Sequence, residues 1–232
     1  MEKILIVDKL PKVYSSAFSS GLTAECFLMP DGHVYKRYFK HGKYTPFIKL
    51  FAGVENDAFI FPKQLIFLKE ETEKRFKAVI TRYIEGSTVE ELSELTDLRE
   101  FLNALNIFEK ELLELSRRDV HITDIHSENM IYTKDKRLVA IDTDFYEIGA
   151  FYDVPDTYKE NIKELANYTV CPKFCLSDVR DPKLRRLISK CAARGEVKPS
   201  HVLEETKLAI ERETKEEVKT LGDFNKGILL LK

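Results

Sequence analysis

The chain has 232 residues, of which 44% are apolar and 33% are charged, and its formal net charge is −2. This composition is typical of a folded protein with one large domain or two small ones, and the charge argues against bulk electrostatic binding to nucleic acid. No apolar run reaches the roughly 18 residues that span a bilayer, and the N-terminal run is too short for a signal peptide, so we expect a cytoplasmic protein without a membrane or nucleic-acid partner.

Residues 1–85 are rich in the β-branched and aromatic side chains that favour strands. The runs that predict strands are residues 4–7, 24–29, 33–39 and 76–83. Pro30-Asp31-Gly32 separates the second run from the third and predicts a hairpin turn. Residues 46–54 are enough for only one short helix.

Residues 86–232 have mainly helical patterns. Ser87 and Glu90 have capping-box spacing, which predicts a short helix. Seven apolar residues then recur at helical spacing over about five turns. They are Leu98, Phe101, Leu102, Leu105, Phe108, Leu112 and Leu115. Later helices are predicted from Asp181-Pro182 to just before Gly195, and from Ser200 to about residue 218.

The chain has four cysteines, which are Cys26, Cys171, Cys175 and Cys191. The last three suggest a metal clip, but a structural zinc site needs four ligands at tighter spacing. In a cytosolic chain, reduced thiols are the favoured interpretation.

The segment from His121 to Asp144 carries the clearest chemical pattern. Asn129 and Asp142 lie at the two ends of a predicted hairpin with strands at residues 129–132 and 137–141, so antiparallel pairing would bring them together. Carboxylate and amide oxygens are ligands suited to Mg²⁺. Asp124 precedes Asn129 by five residues, on a loop where its carboxylate can accept a proton. The pattern predicts a site for a metal-bound nucleotide, and the alternative is a loop with ordinary polar turn residues.

The spacing His121-x-x-Asp124-x-x-x-x-Asn129, followed by Ile141-Asp142, resembles the catalytic segment of the protein-kinase-like superfamily, in a compact bacterial or phage form. The resemblance implies an α+β, bilobal protein-kinase-like fold. Residues 1–85 would form an N-lobe with an antiparallel β-sheet, and residues 86–232 a mostly helical C-lobe. It also implies ATP and Mg²⁺ as cofactors, with Asp124 as catalytic base and Asn129 and Asp142 as metal ligands.

The same resemblance assigns nucleotide-binding residues in the first 85 positions. Lys36 would contact the phosphates, and Gly21 lies where a glycine-rich loop would cover them. Backbone groups of Arg82 and Ile84 would pair with adenine. Two simpler interpretations remain open, because a strand lysine is often a solvated surface residue and residues 81–86 also fit a strand that ends at a glycine.

Three departures from the family pattern bear on activity. The helical glutamate that partners the strand lysine has no counterpart, since Glu55 and Asp57 are the only acidic residues between Lys36 and Glu70 and come late for that role. The glycine that follows the metal-binding aspartate in the family is also missing, and Asp144 in this segment is either a further metal ligand or a solvated turn residue. His126 is typical of relatives similar to aminoglycoside and choline kinases, and its role is either structural or catalytic.

The resemblance therefore implies an ATP- and Mg²⁺-dependent transfer of the γ-phosphate to a hydroxyl group of an unknown protein or small molecule. Lys198-Pro-Ser200 resembles a segment of protein-kinase C-lobes and favours a protein-kinase-like enzyme. The alternatives are a pseudokinase, which binds nucleotide without turnover, and a small-molecule kinase of the aminoglycoside or choline kinase type.

Overall fold

The computed structural model describes residues 3–13, 15–70, 75–149, 154–174 and 176–231, with only the backbone at positions 154 and 155. Cys175 lies outside the described residues. Contacts between Cα atoms divide the chain into two compact units. The first contains Met1–Ile84 and Ile141–Glu147, and the second contains Glu85–Ala140 and Ile148–Lys232.

The described residues form a six-stranded sheet, two smaller sheets and six α-helices, which confirms the predicted α+β class. None of the helices in the described ranges has both the length and the apolar character needed to cross a membrane.

The first unit is built on the six-stranded sheet, in the spatial order β1-β5-β6-β4-β3-β2. Its strands are β1 (Ile4–Val7), β2 (Ser19–Ser20), β3 (Ala24–Leu28), β4 (His33–Lys43), β5 (Gln64–Leu68) and β6 (Arg75–Arg82). The predicted hairpin joins β3 to β4, with Gly32 in a left-handed conformation (φ 78°). That conformation favours glycine, which explains the turn signal in the sequence.

The prediction of an antiparallel sheet was wrong at one edge. Strand β1 pairs with β5 in parallel, from Ile4 opposite Leu65 to Val7 opposite Leu68. Strand β5 is absent from the sequence-based prediction because its residues are buried on both faces, and such a strand lacks alternating polarity. Without β5, no parallel partner for β1 was visible.

The core of the first unit is aromatic. The predicted short helix is observed as α1 (Pro46–Phe51), whose N-terminus is capped by Thr45. Phe47 of this helix stacks on Phe51, with ring centroids 4.7 Å apart, and contacts Phe61 at 5.7 Å. Tyr146 also packs against Phe47, at 5.7 Å, so the returning segment 141–147 is part of this core.

The second unit is mainly helical, with a three-stranded sheet in the order β10-β9-β7. Its elements are β7 (Gly86–Thr88), α2 (Leu98–Ser116), β8 (Val120–His121), β9 (Met130–Thr133), β10 (Leu138–Ala140), α3 (Val154–Thr169), α4 (Pro182–Ala192), α5 (Pro199–Thr214) and α6 (Leu221–Ile228); β11 (Glu147–Ile148) spans the division between the units. The long helix α2, the β9–β10 hairpin and the start of α4 at Pro182 confirm the corresponding predictions. Gly195 follows α4 with φ 61°, as its position after the helix predicted.

The short helix predicted at Ser87 to Glu90 was wrong. Residues Gly86–Thr88 form β7, which pairs with β9, and a Cβ atom on Gly86 would lie 2.4 Å from the carbonyl oxygen of Tyr132. The reciprocal hydrogen bonds join Thr88 and Glu91 instead, since Thr88 Oγ1 donates to Glu91 Oε2 and accepts from the Glu91 N–H. They close a turn after the strand, which shows that capping-box spacing alone does not determine a helix.

The C-terminal residues that the sequence left unplaced include α6. A full capping box formed by Thr220 and Asp223 begins this helix. Just before it, the Lys219 carbonyl accepts a hydrogen bond from the Leu98 N–H, at the start of α2. The predicted final helix ends earlier than expected, at Thr214, because Lys215 adopts a left-handed conformation (φ 61°).

One buried carboxylate connects α2 with α5. Glu109, which has 0% exposure, accepts hydrogen bonds from the Ser200 N–H at 2.7 Å and from Ser200 Oγ at 2.5 Å. It therefore caps α5, whose own N-cap residue, Lys198, makes no side-chain capping bond. Burial raises the pKa of Glu109 above its ordinary value, although the hydrogen bonds from Ser200 and the charge of Lys198 act in the opposite direction.

Replacing Glu109 with Gln is expected to remove a pH-dependent loss of stability. A carboxyl group whose pKa is raised by folding stabilises the folded state fully below its ordinary pKa of about 4.3, and this contribution is lost as the pH rises through the raised pKa. The free energy of unfolding of the wild type, relative to Glu109→Gln, should therefore fall as the pH rises above about 4. Urea denaturation measures this difference. Glu213→Gln, at an exposed position of α5, is the control. If the free energy of unfolding of the wild type, relative to Glu109→Gln, rises with pH, the expectation is contradicted.

Candidate functional site

In the first unit, Lys36 contacts both aspartates of the Asp142-Thr-Asp144 segment. Its Nζ lies in direct contact with Asp142 Oδ1 and 3.0 Å from Asp144 Oδ2. Only 7% of Lys36 is exposed, so the alternative of a solvated strand lysine does not hold. Glu55 and Asp57 do not serve this lysine, because Glu55 is exposed and Asp57 lies 4.0 Å from Arg82.

The charge of Lys36 is maintained by its acidic neighbours. Burial of the ammonium group alone would lower its pKa, but the carboxylates of Asp144 and Asp142 outweigh this effect and raise the pKa above its ordinary value. Lys36 therefore remains an ammonium group at neutral pH. This is the form that a phosphate-binding lysine requires.

Cys26 lies opposite Lys36 on the neighbouring strand β3. Burial raises the pKa of its thiol to about 11; the charge of Lys36 opposes this shift, and Asp142 and Asp144 add to it. The thiol stays protonated at neutral pH and is a poor nucleophile.

The backbone around the two aspartates is fixed by its intervening and following residues. Thr143 is buried, and its Oγ1 donates a hydrogen bond of 2.9 Å to the Ile60 carbonyl. Tyr146, at 1% exposure, packs between Phe47 and Phe59. These inward-pointing side chains hold the segment in the core of the first unit while the carboxylates of residues 142 and 144 reach Lys36.

In the second unit, Asp124 and Asn129 are joined through the loop backbone. Asn129 Nδ2 donates a hydrogen bond of 3.0 Å to the Asp124 carbonyl, which leaves the Asn129 side-chain oxygen available to a ligand. Asp124 has a left-handed backbone conformation (φ 61°), and its carboxylate is 46% exposed. A non-glycine residue in this conformation is uncommon and is concentrated at functional sites. The exposed carboxylate is accessible to a substrate.

His126 lies beside this aspartate. Its Nε2 is 3.6 Å from Asp124 Oδ1, and its Nδ1 is 3.8 Å from Glu128 Oε2. The ring also packs at 6.0 Å from that of Tyr168. His126 therefore both approaches the Asp124 carboxylate and is held by packing against Tyr168.

A buried asparagine of α3 holds the chain that leads to Asp124. Asn161 Oδ1 accepts a hydrogen bond of 2.8 Å from the Ile122 N–H, and its Nδ2 donates to the Val120 carbonyl and to Ser116 Oγ at 2.8 and 2.9 Å. Both N–H groups and the side-chain oxygen of this amide are thus used for positioning. Asn161 was not predicted as a site residue from the sequence, where its signal is a polar residue on the buried face of a helix.

The predicted adenine-binding backbone lies at the end of β6. The Ile80 carbonyl accepts from the Lys63 N–H on one side, whereas the Tyr83 N–H donates to Gly32 on the other. Because the backbone groups of a strand alternate in direction, the N–H and C=O groups of Arg82 point to the same side as those of Ile80. Arg82 lies beyond Ile80, which is the last residue of β6 that pairs with β5. Among the described residues, none forms a backbone hydrogen bond with Ile84. Both positions therefore leave backbone groups available, as the hinge interpretation requires.

Gly21 lies in the turn between β2 and β3, where its N–H donates to the Ala24 carbonyl at 2.9 Å. A Cβ atom at this position would meet no atom closer than 4.0 Å. The fold itself does not require glycine here.

The side-chain oxygens of Asp142 and Asn129 fit the preference of Mg²⁺ for hard ligands. The side chain of Asp142 is 30% exposed and contacts Lys36 through only one of its oxygens, and Asn129 keeps its amide oxygen. Asp144 is not a solvated turn residue, because its side chain is 7% exposed. Within the described ranges, no three His, Cys, Asp or Glu side chains cluster as a metal site. A magnesium ion bound by either Asp142 or Asn129 would therefore depend on water and phosphate oxygens as well, which is usual for this ion.

A scan against protein families found no match to the sequence, and a search of curated proteins found no significant similarity. The functional interpretation therefore rests on the residues themselves. The structure brings Lys36 together with Asp142 and Asp144 in the first unit, and Asp124 together with Asn129 in the second.

Replacing Asn161 with Ala is expected to lower the free energy of unfolding by about 3 kcal/mol, because three hydrogen bonds are lost and the buried Ile122 N–H loses its acceptor. Urea denaturation measures this effect, and amide hydrogen exchange at Ile122 should become faster. Asn167→Ala, at an exposed position of the same helix, should change stability by about 0.5 kcal/mol or less. Equal effects of the two substitutions would show that the buried amide has no special role.

Proposed function

We propose that the chain is an ATP- and Mg²⁺-dependent phosphotransferase with a bilobal protein-kinase-like fold. The observation that carries this proposal is the contact between the buried Lys36 and the partly exposed Asp142, which are 106 residues apart in the sequence. A lysine that binds phosphate and an aspartate that binds Mg²⁺ act on the same nucleotide, so their side chains must lie together. The predicted roles of these two residues meet that requirement in the first unit.

The remaining roles follow from the chemistry of each side chain. Lys36 donates to phosphate oxygens, and the backbone at Arg82 and Ile84 binds the adenine. Asp142 and Asn129 would each offer a side-chain oxygen to the metal. When bound, Mg²⁺ neutralises phosphate charge and orients the terminal phosphates.

Asp124 is the proposed catalytic base. As the acceptor oxygen bonds to the γ-phosphorus, its proton passes to the Asp124 carboxylate. The bond between that phosphorus and the ADP oxygen breaks, and ADP leaves. The exposure of Asp124 and the fixed backbone around it support this role. The acceptor is a hydroxyl group of a protein or of a small molecule. The Lys198-Pro-Ser200 segment favours a protein-kinase-like enzyme, whereas the Asp124-x-His126 spacing is typical of small-molecule kinases.

A nucleotide-binding pseudokinase is the second candidate. The β2–β3 turn favours it, because a single glycine in an unconstrained position is a weak substitute for a glycine-rich loop. The two candidates differ in turnover and not in nucleotide binding.

Asp124→Asn is expected to keep ATP affinity and to lower phosphate release or autophosphorylation by about 100-fold or more, since a positioned base contributes at least that factor. Asp142→Asn should instead weaken ATP binding more strongly with Mg²⁺ than in EDTA, because it removes the proposed metal ligand as well as a contact of Lys36. Calorimetry and a labelled γ-phosphate measure the two quantities. Asp135→Asn, in the exposed β9–β10 turn, is the matched control. A wild type that binds ATP but turns over no faster than Asp124→Asn would establish the pseudokinase alternative, and one that binds no ATP would refute both.

A further inference from the structure

The two aspartates that contact Lys36 are not equivalent. The Asp144 side chain is 7% exposed, and its Oδ2 accepts from both Lys36 Nζ and the Tyr38 hydroxyl. The Asp142 side chain is 30% exposed. Asp144 is thus the deeper and more fully bonded carboxylate, whereas Asp142 is the more accessible one.

Tyr38 and Lys36 lie two residues apart on β4 and therefore point to the same face of the sheet. Tyr38 is 4% exposed and packs edge-to-face against Phe76, with ring centroids 5.4 Å apart. The Lys36 Nζ lies 5.2 Å from the centroid of the Tyr38 ring. The tyrosine is therefore a rigid support that contacts both the ammonium group and its buried carboxylate.

The charges of this cluster do not balance. One ammonium group faces two carboxylates, so the group of Lys36, Asp142 and Asp144 has an excess of one negative charge in a mostly buried setting. Buried charges are tolerated when each is paired or bound to a metal. A cation bound at the accessible carboxylate, Asp142, would complete the neutralisation and leave Asp144 with the lysine.

We propose that Asp144, supported by Tyr38, is the positioning partner of Lys36 and takes the place of the helical glutamate that this chain lacks. This inference rests on the proposed function. Helix α1 has no acidic residue, so the first helix after Lys36 has no carboxylate to offer. Asp144 reaches the lysine from the segment that also carries Asp142. It holds the ammonium group where phosphate binds and is not itself a metal ligand.

The proposal predicts a pattern in nucleotide binding that a metal ligand would not give. Asp144→Asn should weaken ATP binding by about tenfold, the effect of losing one charge-assisted hydrogen bond, both with saturating Mg²⁺ and in EDTA. A lost metal ligand would weaken binding only with Mg²⁺ and would raise the Mg²⁺ concentration needed for half-saturation. Titration of the protein with a fluorescent ATP analogue, under both conditions, separates the two roles.

Tyr38→Phe tests the same arrangement with a smaller change to the fold. It removes only the hydroxyl and should weaken ATP binding in the same direction, by about threefold. The double variant should bind no more weakly than Asp144→Asn alone, because Tyr38 acts through Asp144. Multiplied effects would show that the two residues act independently and would overturn the inference.

Asp8→Asn is the control for the loss of a carboxylate in the first unit, since Asp8 forms an exposed ion pair with Lys69. Thermal unfolding of each variant verifies that the protein is folded. If Asp144→Asn is not folded, the ATP affinity of Tyr38→Phe tests the inference. Unchanged ATP affinity of a folded Asp144→Asn in EDTA overturns this inference and leaves the proposed function intact. A wild type that binds no ATP overturns both.

Discussion

The buried ammonium group of Lys36 is the constraint on which the first unit depends. A lysine at 7% exposure is costly unless carboxylates accompany it, and none of the residues near it in sequence provides one. The two carboxylates come from a segment more than a hundred residues later, which therefore has to return to β4. Thr143 and Tyr146 make that return favourable, because one donates to the Ile60 carbonyl and the other fills the aromatic core.

A different constraint organises the loop of the second unit. Asp119 and Asp124 both adopt left-handed backbone conformations, which cost less for aspartate than for bulkier residues. Such conformations persist when the surroundings fix them. Here Thr157 donates to the Asp119 carboxylate, Asn161 binds the backbone at Val120 and Ile122, and Asn129 binds the carbonyl of Asp124. The exposed carboxylate of Asp124 thus stands on a backbone that side-chain hydrogen bonds fix at several points.

Local patterns in the sequence predicted the elements that are amphipathic or bounded by turn residues. Helix α2, the β3–β4 and β9–β10 hairpins and the Asp181-Pro182 start of α4 are of this kind. Strand β5 was missed because both of its faces are buried, and the strand at Gly86 was mistaken for a helix because side-chain capping bonds also close turns. Pairing between distant segments has no local signal, so neither the parallel β1–β5 pair nor the carboxylates of Lys36 were predictable from spacing. The shared strand face of Lys36 and Tyr38 was visible in the sequence, but the acid that joins them was not.

The difference between local patterns and contacts of distant segments bears on how the missing helical glutamate is interpreted. The absence of a helical glutamate after Lys36 would by itself favour a protein without turnover. The physical requirement, however, is a fixed carboxylate at the ammonium group, and a carboxylate from any part of the chain satisfies it. Asp144 meets the requirement through burial, a second hydrogen bond from Tyr38 and an anchored backbone on both sides. If Asp144 acts as proposed, the missing helical glutamate does not by itself favour the pseudokinase, and the single glycine of the β2–β3 turn is the feature that does.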